Sequence, residues 1–304
     1  MGNSNGKKAL VAGASFAGLS SAYWLCELGY DVTIVEIAPA LRTGGTAVNI
    51  GGNTFDIAKR MGIYDAIRAN RLNLQRWEMK NIEGVTERER VVRAPGAPPP
   101  EHEYEIERNV LLNILLAALN GRSKIVFGDS IASLAETASG VDVTFTKKAR
   151  DSFDLVLGCD GVHSGVRKLW FGEEARFSRY LGAYFSITIV DKLLIERDTA
   201  QMVNVPDKVI MLNAYKNSTD IIFLFAVDEE LPYDRDESRQ RAMINAQFAG
   251  MGWRARELLE EIAASTSFYF DKISQIRMPA WSKGRRHWAP VQCADRASIP
   301  PPTR

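Results

Sequence analysis

Cysteine is scarce in this 304-residue chain: Cys26, Cys159 and Cys293 stand far apart, and no CxxC pair occurs. That argues against a disulfide-stapled secreted scaffold or a dithiol redox motif, and points to reduced, structural cysteines in a cytoplasmic protein. Histidine is as rare, and His102, His163 and His287 are too scattered to suggest a zinc site, so no metal is expected. No apolar run reaches the length of about eighteen residues that a membrane helix needs. Charge of one sign is not in excess, with 38 Lys and Arg against 37 Asp and Glu. Neither nucleic acid nor a membrane surface is therefore an expected partner. The first residues, Met1–Gly6, lack the apolar stretch of a signal peptide, and Gly6 stands where a myristoylation pattern needs Ser or Thr.

Apolar residues make up 46% of the chain, enough for one large or two modest globular domains. The strongest pattern lies in the first forty residues. Ala9–Ala12 reads as a buried parallel strand, and Gly13–Gly18 as a turn. Leu19, Ala22, Tyr23, Leu25 and Cys26 form one helical face ending at Gly29, and a second strand, Val32–Val35, closes on Glu36. This is the strand–turn–helix–strand order of a dinucleotide-binding unit. Gly13 makes the tight turn, Ser15 is small enough for a pyrophosphate to approach the backbone, and Gly18 lets helix and strand pack closely. The helix N-terminus presents free N–H groups to phosphate, and Glu36 accepts hydrogen bonds from a ribose diol. Two alternatives stay open here: a plain βαβ unit, and a nucleophile elbow on Ser15, which is also a strand–turn–helix but has no evident Asp–His pair.

Further along, Phe153–Leu157 reads as a strand, followed by the turn Gly158-Cys159-Asp160-Gly161 and a helix over Val162, Val166, Leu169 and Trp170. The pattern Asp160-Gly161-x-x-Ser164-x-x-Arg167 resembles the DG motif of class A flavoprotein monooxygenases, the para-hydroxybenzoate hydroxylase-like family. The stretches GASFAGLSSAYWL, PALRTGGTAVNI and EIERNVLLNILLAAL are similar to that family in the same order, especially to its tetracycline-modifying and polyketide-hydroxylating members. The resemblance implies FAD as cofactor, NADH or NADPH as a transient reductant, and O2-dependent hydroxylation of a small aromatic or polycyclic substrate. It implies that Gly13, Ser15 and Gly18 meet the FAD pyrophosphate and Glu36 the adenosine ribose. Arg42 and Arg108 would brace the cofactor, and Asp160 and Gly161 would hold its flavin end. Arg167 would support the motif and reach the pyridine nucleotide. Ile37 departs from the family, which usually has Arg after the acid.

The resemblance also implies the fold: a Rossmann-like α/β FAD/NAD(P)-binding domain with an inserted antiparallel-sheet (α+β) substrate domain. Residues 7–75 and 106–172 are assigned to the first, and 76–105 and 173–278 to the second. Arg93–Glu105 is a proline-rich break unsuited to helix or inner strand. From Arg179 onward, runs at 184–190, 201–205, 208–215 and 220–227 alternate with turn residues and predict an antiparallel meander, then two helices and a returning strand. The more polar face of the first run, Tyr184, Ser186 and Thr188, with Met211 and Asn213 on a neighbouring run, is the expected substrate platform. No catalytic base stands out, and the oligomeric state is left open.

The segment 279–304 has neither helical nor strand period from Arg286 onward, and it lacks the Gly-Asp segment that the family places after Gly284-Arg285. A frameshifted or truncated gene product with impaired activity is the expectation, natural divergence the alternative. A non-catalytic nucleotide-binding remnant is the competing functional reading.

Overall fold

Strand β1 (Lys8–Ala12) is buried along Ala9–Ala12, as an apolar run sandwiched between layers must be. The computed structural model describes residues 6–42, 44–94, 97, 103–231 and 236–283, and the backbone of 286–287. Helix α1 (Phe16–Glu27) follows β1 and returns the chain to β2 (Asp31–Glu36), which pairs in parallel with β1. Next come β3 (Val48–Gly51), α2 (Thr54–Arg60), α3 (Tyr64–Ala69), β4 (Arg76–Lys80), β5 (Thr86–Val91) and β6 (Glu103–Ile106). Helix α4 (Arg108–Leu119) buries Leu111, Leu112, Leu115 and Leu119 in the core that also takes Leu19, Ala22 and Leu25 of α1. Each such leucine contributes about 2 kcal/mol of burial. Asn120, at φ +48, ends the helix in a left-handed cap.

After α4 run β7 (Ser123–Phe127), β8 (Ile131–Glu136), β9 (Val141–Phe145), β10 (Asp151–Phe153) and β11 (Leu155–Gly158). Strands β11, β1, β2 and β7 form the four-stranded parallel sheet, and β10, β9 and β8 a small antiparallel one. Helix α5 (Gly165–Phe171) and a 3-10 turn (Glu174–Arg176) lead into the long strand β12 (Ser178–Val190).

The meander expected from Arg179 is present: β12, β13 (Thr199–Val205), β14 (Lys208–Tyr215) and β15 (Ser218–Ala226). Asp207 and Lys216, at φ +62 and +50, stand in the two tight hairpin turns. Helices α6 (Glu237–Phe248) and α7 (Ala255–Ala264) follow, then β16 (Phe268–Ile276). The seven-stranded order is β16-β12-β15-β14-β13-β4-β5, so β4 and β5 from the first third of the chain complete a sheet built by the last third. Strand β4 joins it through parallel pairing with β13. Strand β6 pairs with β3 along its whole length, so Glu103–Ile106 crosses the division expected at 105/106 and lies with the cofactor half. Short strands β17 (Ser282–Lys283) and β18 (Arg286–His287) pair with each other, giving regular backbone where no period was legible. The rest of the tail, 288–304, lies outside the described residues.

The two faces of the large sheet differ. Tyr184, Phe223, Phe225, Ile210, Leu212, Ile221 and Phe270 lie in one core with Ile244 and Phe248 of α6 and Leu258 and Ile262 of α7. Phe185, Met202, Met211, Leu224, Trp77 and Met79 form the core of the opposite face.

Candidate functional site

The turn after β1 is shaped by close backbone contacts. Gly13 has φ +100, and a Cβ there would lie 2.5 Å from the Cys159 carbonyl oxygen at the end of β11. The positive φ agrees with the tight turn expected of Gly13, and the contact with the Cys159 carbonyl adds a second reason, since any side chain there would collide with the neighbouring strand. A Cβ on Gly18 would fall 1.8 Å from the Gly13 carbonyl oxygen, so the helix can start this close to the strand only with glycine there. Ser15 is the N-cap of α1: its Oγ accepts from Gly18 N at 3.5 Å and donates to Cys159 O at 3.0 Å. A hydroxyl held by a backbone carbonyl has no base to activate it, which removes the nucleophile-elbow alternative. The first turn of α1 carries no acidic residue, so its positive end is not neutralised.

Glu36, 9% exposed, closes β2 beside this turn. Its Oε2 accepts from Ala14 N at 2.8 Å and its Oε1 from Ala38 N at 2.9 Å, which fixes the carboxylate next to the glycine loop. Arg42 is largely exposed, with Nε 4.0 Å from Glu36 Oε1. Ile37, where the family usually has Arg, is 64% exposed. Arg108 lies with its guanidinium 4.6 Å over the Phe16 ring, at the start of α1. Beside it, Asn109 Oδ1 accepts from Gly44 N at 3.1 Å, which ties the Gly44–Ala47 segment to α4. Gly13, Ser15, Gly18, Glu36, Arg42 and Arg108 thus converge at one end of the parallel sheet. Glycine-lined backbone, an open helix N-terminus and a fixed acid fit the adenosine and pyrophosphate parts of FAD.

The Asp160-Gly161 turn stands at the C-terminal end of β11, next to the glycine loop. Gly161 has φ +85 with open space where a side chain would go. Asp160 accepts from Ser164 Oγ and, at 3.1 Å, from Val166 N. Burial raises its pKa, while those donors oppose the shift. Ser164 in turn caps α5 through Arg167 N at 3.0 Å. Part of the motif is therefore helix capping. Arg167 is fully buried, donates to Val162 O and meets Glu174 at 3.1 Å. The expectation that Arg167 reaches a pyridine nucleotide is corrected: no part of it is accessible.

The substrate expectation divides in the same way. Tyr184 and Ser186 are 2% and 0% exposed and lie on the face covered by α6 and α7, with Tyr184 stacked between Phe225 and Phe270. Polarity along β12 misled, because a buried Tyr can place its hydroxyl on backbone, here Leu231. Both residues are withdrawn from the site. Met211 and Asn213 lie on the opposite face, where Asn213 Nδ2 reaches Glu105 Oε1 at 3.5 Å from the cofactor half. A cleft of about 600 Å³ opens between the two halves, lined by Gly44, Asn109, Ile189, Val190 and Ser267 among others.

Two groups had no sequence signal. One is His163, inside the DG motif, with Nδ1 3.0 Å from Glu174 and Nε2 3.2 Å from Asp271 on β16. Tyr269 donates to the same Asp271 at 3.0 Å. Asp271 and then Glu174 raise the His163 pKa to about 9, against the effect of burial. A raised histidine stabilises most below its unfolded value, about 6.5, and that stability is lost as pH rises through about 9. Glu174 is held below its ordinary range, so its share disappears only on the acid side. Thermal unfolding followed against pH should therefore show a decline between about pH 6.5 and 9 that His163→Gln flattens. Equal slopes in both proteins would remove His163 from this account. The other missed group is a pair of carboxylates, the half-buried Glu105 and the fully buried Asp220, each set among residues distant in the chain.

Residues 7–261 match the family described as FAD binding domain. An uncharacterized protein of Mycobacterium tuberculosis is 36% identical over 283 residues, covering 92% of this chain and 76% of its own length. A flavin-dependent monooxygenase of Legionella longbeachae is 31% identical, over 91% of this chain and 72% of its own. The crystal structure of the tetracycline destructase Tet(51) superposes with a TM-score of 0.82 at 32% identity, covering 93% of this chain and 73% of the other. No helix among the described residues is long and apolar enough to cross a membrane, and no group of His, Cys, Asp or Glu among them could hold a metal ion. The chain belongs to the class A FAD-dependent monooxygenase family.

Proposed function

We propose that this protein uses FAD, NADH or NADPH and O2 to hydroxylate a small aromatic or polycyclic molecule. The observation that carries this reading is the juxtaposition of the glycine-loop end of the parallel sheet with the Met211–Asn213 face of the large sheet. Gly13–Gly18 backbone and Glu36 would hold pyrophosphate and ribose, with Arg42 and Arg108 at the rim and Asp160-Gly161 at the flavin end. The chemistry supplied by a bound FAD is two-electron reduction by the nicotinamide and activation of O2.

This chain's own residues do the remaining work. Met202, Met211, Trp77, Met79 and Phe185 present a polarizable apolar wall that excludes water and favours a flat ring system. Asn213, oriented by Glu105, supplies a polar group on that face for fixing the ring. A polycyclic substrate is the one named for the similar Tet(51). Residues 7–75 with 103–172 act as the cofactor domain, β6 going with β3, and β4–β5 with 173–278 as the substrate domain.

The test is reconstitution of the purified protein with FAD, followed by NADH and NADPH oxidation under O2 with a panel of phenolic and polycyclic compounds. The expected result is flavin absorbance that stays with the protein through gel filtration, and a product heavier by one oxygen atom. Failure to retain flavin, or retention with no oxygenated product from any compound, overturns the proposal.

A further inference from the structure

The Gly44–Ala47 segment is gripped from both halves of the molecule. Gly44 N donates to Asn109 on α4, and Gly45 lies under the Arg108 side chain, whose Cδ would be 2.8 Å from a Cβ there. On the other side, Thr46 and the Ala47 amide approach the carboxylate of Asp220, which is fully buried on β15. Tyr215 donates to Asp220 Oδ1 at 2.7 Å. Asn213, directly opposite Asp220 in the sheet register, reaches across to Glu105 on β6. Strand β6 in turn pairs with β3, which begins at the end of the gripped segment.

Two carboxylates therefore come together where the segment, β6 and the large sheet join, and among the described residues neither makes an ion pair with a cation. The charged and titratable groups around them are Glu103 on β6, Glu107 before α4, and Tyr215 on β14. Lys216 is engaged by Glu107, and Arg108 by the Phe16 ring. Desolvation, then the neighbouring Asp220, raises Glu105 to about 7, and desolvation raises Asp220 to about 6. Ionised together, the half-buried Glu105 and the fully buried Asp220 would repel and push β6 away from β15. A proton on either one removes the repulsion and adds a donor.

We propose that Glu105 and Asp220 act as a proton-carrying positioning pair that holds the Gly44–Ala47 segment against the substrate sheet. This rests on the functional reading above in one respect: Arg108, which lies over Gly45, is placed there at the rim of the cofactor, so releasing the segment loosens FAD. Neither carboxylate is a catalytic residue here; both act through the segment.

The experiment is amide exchange of Gly44–Ala47 in the flavin-free full-length protein, corrected for the intrinsic pH dependence of exchange, with FAD affinity measured by fluorescence in parallel. For the parent, protection and affinity should both fall by about tenfold or more as pH rises from about 6 to about 8.5. Glu105→Gln and Asp220→Asn keep the shape without the charge, and each should flatten both curves. Protection independent of pH in the parent, or an unchanged fall in the folded Glu105→Gln protein, would overturn the pair. A pH-dependent segment in a protein that binds no FAD at any pH would support the pair and overturn the flavin placement instead.

Discussion

Gly18→Ala should unfold the cofactor half of the protein, not merely weaken ligand binding. The added methyl would sit 1.8 Å from the Gly13 carbonyl oxygen, a rigid backbone atom that cannot rotate away. Relief requires α1 to lift from β1, which opens the core shared by Leu19, Ala22 and Leu25 with the leucines of α4. Overpacking on that scale costs about 3 kcal/mol or more, a large share of the total stability of a domain. Gly161→Ala is the useful contrast. It also places a side chain near the cofactor site, but in open space, so only its left-handed backbone at φ +85 is penalised, by about 1–2 kcal/mol. Urea unfolding of the flavin-free proteins should separate the two clearly. Similar midpoints would mean that the helix–strand contact is not the determinant.

Arg167→Ala should be nearly as damaging. The guanidinium is fully buried, bonded to Val162 O and paired with Glu174. Truncation takes from the Glu174 carboxylate its buried partner, leaving His163 and the more distant Lys272, empties a large volume under α5 and releases the loop that carries Asp160. Removing one partner of a fully buried ion pair costs about 3–5 kcal/mol, and the 29% exposure of Glu174 sets the expected loss at the lower end, about 3 kcal/mol. Arg167→Lys should recover little, because Nη2 makes both contacts and the nitrogen of the shorter lysine side chain falls short of that position. Thermal denaturation without flavin is the decisive measurement. A variant that melts with the parent and loses only nicotinamide-dependent turnover would restore the ligand-contact role that the burial of Arg167 argues against.

Local pattern made the cofactor half readable. Strand, turn, helix and acid lie within the first 36 residues, so Gly13, Ser15, Gly18 and Glu36 could be named before their geometry was known. The reasons were less readable than the residues, because the Gly13 clash partner, Cys159, is far away in the chain. The meander was legible from alternation and turn residues, but alternation cannot say which face meets the cofactor. Tyr184 and Ser186 look polar in sequence and are covered by α6 and α7, while Met211 and Asn213 fall on the other side. His163, Glu105 and Asp220 each acquire their surroundings from three or more separate elements, and no window of sequence contains such a neighbourhood. The short β17–β18 pairing was missed because two-residue strands carry no measurable period.

The insertion of β4 beside β13 has a consequence for how the chain is made. Lys80 leaves the ribosome about 120 residues before Val203, its neighbour in the finished sheet. At about 5–20 residues per second, the β4–β5 hairpin waits roughly 6–24 s for the strand that will shelter it. Trp77 and Met79 have no apolar cover during that interval, and a lone hairpin is marginal in water. Nascent chains of intermediate length should therefore depend on chaperone capture. Slowing translation ahead of β13 should lower the soluble yield, and supplying a holdase should recover it.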